Sequence, residues 1–113
     1  MFSVVLSEEV IYDIDNFIDS YRKIFLNRFL DTWIFNENLI RKNYIELSKE
    51  FRNNIYNEID TRLKQKRILW NMVIDELKYS IFIIVWNYSI LLNYIENIED
   101  KIRFVENINF YKK

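Results

Sequence analysis

Apolar positions in the first half of the chain recur every three or four residues, which places them on one side of a helix. After a short β-prone run at Phe2–Leu6, one stripe spans Glu8–Trp33 and a second spans Glu37–Lys66. Ser7 precedes the first stripe and is a suitable N-cap, followed by two acidic residues at the positive end of the helix dipole. The polar break between the stripes is short, so the helices are predicted to fold back as a long antiparallel hairpin.

The last third of the chain alternates apolar and polar residues with the period of two that is typical of strands. Three runs, Tyr79–Trp86, Tyr88–Ile95 and Lys101–Ile108, are separated by short connections and predict a three-stranded antiparallel meander. The first run is apolar on both alternating faces, which predicts a strand in the middle of the sheet with a layer packed over each face. A turn is expected at Asn87, because asparagine tolerates the left-handed conformation.

One segment, Ile68–Lys78, fits a helical face and an alternating strand about equally well. A short helix or an irregular connection is preferred here. The N-terminal run is expected to add a strand to the meander. The predicted architecture is therefore α+β, with an N-terminal strand, a long antiparallel helical hairpin and a C-terminal three-stranded antiparallel meander, all in a single domain over residues 1–113.

Composition narrows the possible chemistry. The 113 residues carry a formal net charge of −1 and include no Cys and no His. Thiol nucleophiles, disulfides and imidazole bases are therefore excluded, together with the commonest zinc ligands. No Gly is present, so the chain has no Gly-rich phosphate-binding loop. Pro and Ala are also missing while Ile, Asn and Lys are abundant, which is typical of an AT-rich genome. No metal and no small-molecule cofactor are expected.

Neither a signal peptide nor a membrane span is predicted. Met1–Leu6 is too short for the apolar core of a signal peptide. The longest apolar run, Ile81–Trp86, is far below the roughly 20 residues that cross a bilayer. We therefore expect a cytoplasmic protein without a membrane partner. Its balanced charge gives no general attraction to nucleic acid.

Residues in both halves of the chain carry a family resemblance. Val4–Ser7 leading into Glu8–Tyr21 resembles the opening of RelE/ParE-type toxins, in which an apolar strand ends in a capping Ser before a helix. Asn87–Tyr94 resembles the central strand of that family, and Lys101–Ile108 resembles its last strand. The resemblance implies a RelE/ParE-like fold and a growth-inhibiting toxin. Such a toxin is encoded with its antitoxin on a mobile element or chromosome, and it acts on mRNA in the ribosome or on DNA gyrase.

Two departures from the family bear on the chemistry. The central strand of the family usually carries Arg directly after its Tyr, whereas Ser89 follows Tyr88 here. RNA-cleaving members often place His or Arg near the end of the last strand, where this chain has Glu106 and Asn107. These differences count against ribonuclease activity, so the resemblance leaves open whether the protein is an enzyme.

Cleavage of RNA by its own 2′-hydroxyl needs a base, an acid and a cation. Without His, the base is Glu106 or Tyr94, and the acid is Tyr111. The cations are Lys101, Arg103 and Lys112. The candidate catalytic residues are thus Lys101, Arg103, Glu106 and Tyr111. In the competing interpretation Arg103 is a solvated strand residue and Glu106 forms a surface pair with a Lys.

Four positive charges close the second helix, at Arg62, Lys64, Lys66 and Arg67. These positive charges either stabilise the helix by interacting with the negative end of its dipole, or bind an acidic segment of an antitoxin. Four aromatic residues lie off the clearest stripes and are candidate interface anchors: Tyr12, Tyr56, Trp70 and Tyr111. The alternative function is that of a small non-catalytic protein–protein inhibitor encoded by a phage or other mobile element.

Overall fold

The computed structural model is an α+β fold, in which two helices lie on one side of a five-stranded mixed sheet. It describes residues 1–30, 37–68 and 71–112, with side chains described at 1–20, 45–68 and 71–112. The elements in chain order are β1 (Ser3–Leu6), α1 (Glu8–Leu30), α2 (Glu37–Leu63), β2 (Met72–Asp75), β3 (Lys78–Val85), β4 (Tyr88–Asn97) and β5 (Ile102–Lys112).

The sheet is larger than the predicted one. Its strand order is β1-β5-β4-β3-β2, with β1 parallel to β5 and the other neighbours antiparallel. The prediction of a three-stranded antiparallel meander is therefore wrong, because β2 adds a strand that was not expected and the expected N-terminal strand β1 pairs in parallel with β5, which makes the sheet mixed. The strand expected in the middle, β3, lies next to an edge strand, and β4 occupies the centre.

The ambiguous segment before β3 contains a strand, where a short helix or irregular connection was preferred. Met72 lies opposite Ser80 and Val73 lies opposite Tyr79, with a register shift before Asp75. A segment of four residues is too short for its sequence pattern to distinguish a helix from a strand. Its pairing with β3 therefore determines that it is a strand. Trp70, an interface candidate in this segment, lies outside the described residues.

The start of α1 follows the sequence prediction. The Oγ of Ser7 accepts a hydrogen bond from the backbone N–H of Val10 at 3.1 Å, which is the N-cap interaction. The same Oγ donates to the carbonyl oxygen of Glu106 at 3.2 Å, and the Ser7 N–H donates to the carbonyl of Val105 at 3.0 Å. Ser7 therefore both caps α1 and fixes the beginning of that helix against β5.

The core lies between the helices and one face of the sheet. The helices contribute residues at four-residue spacing: Val10, Ile14 and Ile18 from α1, and Phe51, Ile55, Ile59 and Leu63 from α2. The sheet contributes Ile81, Ile83, Val85, Ile90, Leu92, Tyr94, Val105 and Ile108. Phe17 joins the two layers, because its ring stacks on Phe110 with the centroids 4.0 Å apart.

Both helices continue past the sheet. The ring of Phe17 on α1 and the ring of Phe51 on α2 both contact Tyr88, which begins β4. About thirteen further residues of each helix, or about 20 Å, therefore extend beyond the strands. This extension agrees with a long dimension of 56 Å against 23 and 22 Å. Residues 31–36, which include the predicted helix end at Trp33 and the expected connection of the hairpin, lie outside the described residues.

The second helix ends earlier than predicted, at Leu63 and not at Lys66. Neither α1 nor α2, over its described residues, has a segment long and apolar enough to cross a membrane.

Because the chain has no Gly, other residues adopt the left-handed conformation in its turns. Positive φ angles occur at Leu77 (64°), Trp86 (53°) and Lys101 (52°), each of them between two antiparallel strands. The turn expected at Asn87 is present, but Trp86 takes the positive φ in place of Asn87. A positive φ at the first central residue of a two-residue hairpin loop suits the twist of the flanking strands.

The described residues place a helical layer on only one face of the sheet. Phe82 and Ile84 of β3, expected beneath a second layer, are exposed. Two helices of about 10 Å diameter are enough to cover a sheet of five strands spaced about 4.8 Å apart, and the described chain has no further helix for the other side. The predicted second cover is therefore wrong for the chain taken alone.

Candidate functional site: the open face of the sheet

The four candidate catalytic residues do not converge. Lys101 lies in the turn before β5 and Tyr111 lies near the far end of that strand, about 33 Å away for ten extended residues. Arg103 is buried on the face that carries the helices, whereas Glu106 lies on the opposite face, where it pairs with Lys78. A single phosphate could not contact all four side chains.

Arg103 is committed to contacts within the protein. Its Nε and Nη2 both donate to Oε1 of Glu96, at 3.0 and 2.8 Å, and its side chain is only 3% exposed. The ring of Phe2 covers the guanidinium, with the centroid 3.7 Å from Cζ. The strand residue that the sequence suggested to be solvated or catalytic is therefore enclosed.

The same guanidinium binds the end of α2. Arg103 Nη1 donates to the carbonyl oxygen of Leu63 at 2.8 Å and to that of Gln65, and Nη2 donates to the carbonyl of Lys66 at 3.2 Å. Helix C-termini leave carbonyls without partners and carry a partial negative charge. A buried cation from β5 meets both needs, which explains why the chain leaves the helix after Leu63.

The alternative candidate base, Tyr94, is also part of the structure. Its ring is buried in the core, and its hydroxyl accepts a hydrogen bond from Nδ2 of Asn71 at 3.1 Å. Burial raises the pKa of the Tyr94 phenol, and this effect exceeds the lowering by the Asn71 hydrogen bond. Tyr94 is therefore protonated at neutral pH, which does not suit a general base.

The positive residues after α2 form an exposed cluster with Lys101. The backbone N–H groups of Phe2 and Ser3 donate to the carbonyls of Lys64 and Lys101, at 3.3 and 2.8 Å, which brings the two segments together. We call Lys64, Lys66, Arg67 and Lys101, all exposed, the basic corner. Lys64 forms an ion pair with Asp60 at 2.7 Å, and Arg62 is half-buried in the last turn of α2.

Three interface candidates have described surroundings. Tyr12 is exposed on α1, and Tyr56 is half-buried beside the core. Tyr111 is exposed near Phe82, with 6.5 Å between the ring centroids. Only Tyr111 belongs to a larger apolar surface.

That surface is the side of the sheet opposite the helices, which we call the open face. Alternation along the paired strands brings to it six exposed apolar residues: Val5, Met72, Phe82, Ile84, Phe104 and Tyr111. Leu91 and Ile95 of the central strand are half-buried between them. Phe82 lies opposite Leu91, and Ile95 lies opposite Phe104, so the apolar residues form two groups, with the row of Ser80, Asn93 and Asn107 between them.

The open face is nearly free of net charge. Its charged side chains on the five strands are Lys78 and Glu106, whose Nζ and Oε1 are 3.9 Å apart across β4, and Asp75 of β2, which lies opposite Lys78. The remaining polar residues are neutral: Ser3, Ser80, Ser89, Asn93, Asn97, Asn107 and Asn109. A surface with aromatic residues and few charges is typical of the centre of a protein–protein interface.

Sequence reasoning missed this surface although the signal was present. The alternation in Tyr79–Trp86 is apolar on both faces and predicts a packed layer over each of them. The alternation fixes which residues share a face, but it does not identify what covers them.

In comparisons with known proteins, no family model, no curated protein and no solved structure matches the chain.

Proposed function

We propose that this protein is a small inhibitory protein that binds its target protein through the open face, without catalysis. The uncovered apolar surface around Phe82, Phe104 and Tyr111 carries the proposal. Burying such surface gains about 25 cal/mol per Å2, and contiguous apolar patches on folded proteins mark interaction sites.

Two further observations support binding over catalysis. The candidate catalytic side chains lie on different faces and at different ends of β5, and Arg103 is used as a helix cap. A hollow of about 420 Å3 lies between the two hairpin turns, but Leu77 and residues 95–99 line it, and none of the candidate catalytic residues does.

The test is inducible expression of the chain in a bacterial host, with growth as the readout. The wild-type chain should arrest growth, and Phe82→Lys should abolish the arrest by placing a charge on the open face, opposite Leu91 of the central strand. Tyr12→Lys is the matched control, because it adds the same charge at an exposed aromatic residue on α1. Both variants must accumulate in folded form. Growth arrest that persists with folded Phe82→Lys would contradict the proposal, as would the absence of arrest with the wild-type chain.

A second candidate function is the toxin of a toxin–antitoxin module with a RelE/ParE-like fold. It is favoured by the element order, a strand and two helices followed by strands, which agrees with the resemblance in the sequence. In this case the exposed basic corner is a binding site for an acidic segment of the antitoxin, and electrostatic attraction should speed their association.

The adjacent open reading frame tests this second candidate. Its co-expression should restore growth. The triple variant Lys64→Glu, Lys66→Glu and Arg67→Glu should slow association of the two purified proteins, and the association rate of the wild-type pair should fall with salt. An antitoxin whose association rate is unaffected by both changes would show that it does not bind the basic corner.

A further inference from the structure

We infer that the open face is covered by a second copy of this chain, so that two sheets pack face to face in a symmetric dimer. The inference rests on the proposed function in one respect: the same face binds the target, so target and second copy compete for it. Four observations lead from the open face to this particular occupant.

The first observation is the pattern of β3. Its apolar residues alternate onto both faces, as they do in strands that have a packed layer on each side. Ile81, Ile83 and Val85 are buried beneath the helices, while Phe82 and Ile84 on the other face are 48% and 56% exposed. A second sheet at the usual distance of about 10 Å would bury these two residues.

The second observation is the charge of the face. The face carries few charges, because Lys78 and Glu106 form one ion pair on each copy and Asp75, opposite Lys78, is the one further charge on its strands. Under two-fold symmetry the Lys78 of one copy can also meet the Glu106 of the other. A nucleic acid or an acidic peptide finds no excess positive charge on this face.

The third observation is the chemistry of the polar residues. Asn93 lies opposite Asn107, and the neighbouring Asn109 lies opposite Leu91. A side-chain amide is both donor and acceptor, so the same group on a second copy can satisfy it. A two-fold interface brings one surface against itself and therefore requires such self-complementarity.

The fourth observation is the area. At about 3.3 Å per residue and 4.8 Å between strands, the strands span roughly 600 Å2 on one face. Specific interfaces bury roughly 600–1,000 Å2 per partner. The open face therefore reaches the lower limit for a specific dimer.

Sedimentation velocity of the purified full chain across the micromolar range tests the inference. The wild type should be a dimer, and Phe82→Lys should raise the dissociation constant at least about thirtyfold, as loss of an interface hot spot does. Val73→Lys is the matched control, because it adds the same charge at an exposed position on the outer edge of β2, away from the open face. It should leave the dissociation constant unchanged.

A charge exchange keeps the test decisive if Phe82→Lys fails to fold. Lys78→Glu brings two carboxylates together on the open face and should raise the dissociation constant at least about tenfold. The double variant Lys78→Glu, Glu106→Lys restores one cation and one anion with exchanged positions, and should return the constant toward the wild-type value. A merely structural effect of either substitution would not be reversed by the other.

Three results would overturn the inference. The first is a wild type that is monomeric over the whole concentration range. The second is a dimer that Val73→Lys dissociates but Phe82→Lys does not. The third is a dimer whose dissociation constant is unchanged by both Lys78→Glu and the double variant. These results leave the proposed function standing if Phe82→Lys still abolishes growth arrest. Conversely, a dimer that is lost in Phe82→Lys while growth arrest persists supports the inference and contradicts the proposed function.

Discussion

Arg103 connects three parts of the protein through a single side chain. It lies on β5, pairs with Glu96 on β4 and donates hydrogen bonds to the carbonyls after the last turn of α2. Its position on a strand that alternates apolar and polar residues gave no indication of these contacts, because partners 37 to 40 positions away in the chain cannot be inferred from local periodicity. A charged residue predicted to serve chemistry is used for structure.

Removal of the Arg103 guanidinium should lower the free energy of unfolding. Arg103→Ala leaves Glu96 and several carbonyls without a partner, and breaking a buried ion pair typically costs about 3–5 kcal/mol. Arg103→Lys should recover only part of the loss, since an ammonium cannot reproduce the planar fork of hydrogen bonds. Urea unfolding measures both changes, with the exposed Arg67→Ala as the control. Equal stability of Arg103→Ala and the control would disprove the capping role.

The buried Tyr94 predicts a loss of stability at alkaline pH. Burial raises its pKa in the folded protein above the value of about 10 in the unfolded chain. The unfolded state therefore ionises first, so this contribution is complete below pH about 10 and is lost as pH rises further. Tyr94→Phe should weaken the decline in the free energy of unfolding above that pH. Tyr12→Phe, at an exposed tyrosine, is the control, and an identical decline in both variants would contradict the prediction.

At the scale of elements, the long apolar stripes predicted the helices and their buried residues better than the short alternating runs predicted the strands. The stripe residues of α1 from Val10 to Ile18 and those of α2 from Phe51 to Leu63 are the ones that the described structure buries. Ser7 also caps α1 as expected. The strand β2 was missed because four residues carry no decisive period, and its pairing with β3 is a tertiary effect. Arg103, which donates to the carbonyl oxygen of Leu63 at the end of α2, also acts from a distance.

The turns of this Gly-free chain should accept glycine with a gain in stability. Lys101 is exposed, with a φ of 52° between β4 and β5. The left-handed conformation is unfavourable by roughly 1–2 kcal/mol for a non-Gly residue, and by more for a β-branched residue. Lys101→Gly should therefore raise the thermal midpoint, whereas Lys101→Val should lower it. The same pair at the exposed Lys49 in α2 should give the reverse order, because glycine destabilises helix interiors.

At the scale of the whole molecule, the structure uses its two sides differently. One side of the sheet is filled by the helices and by aromatic contacts such as Phe17 with Phe110. The other presents apolar side chains without a cover from the described chain. The sequence predicted both sides correctly as apolar. It could not predict which of the two sides the helices cover, because periodicity reports burial and not the identity of the neighbour.

This arrangement predicts that the purified protein does not cleave naked RNA without added metal. Cleavage requires a base, an acid and a cation around one phosphate. Glu106 is about 16 Å along β5 from Tyr111, and Arg103 faces the opposite side of the sheet. The open face adds no net positive charge to hold a phosphate backbone. Incubation with labelled RNA should therefore give no product above the buffer control.

Glu106→Gln and Tyr111→Phe are informative variants, because neither removes the Arg103 cap. Cleavage by the wild type that either variant abolished would mean that these side chains do meet on a bound RNA, and the dispersed geometry would then not describe the active protein.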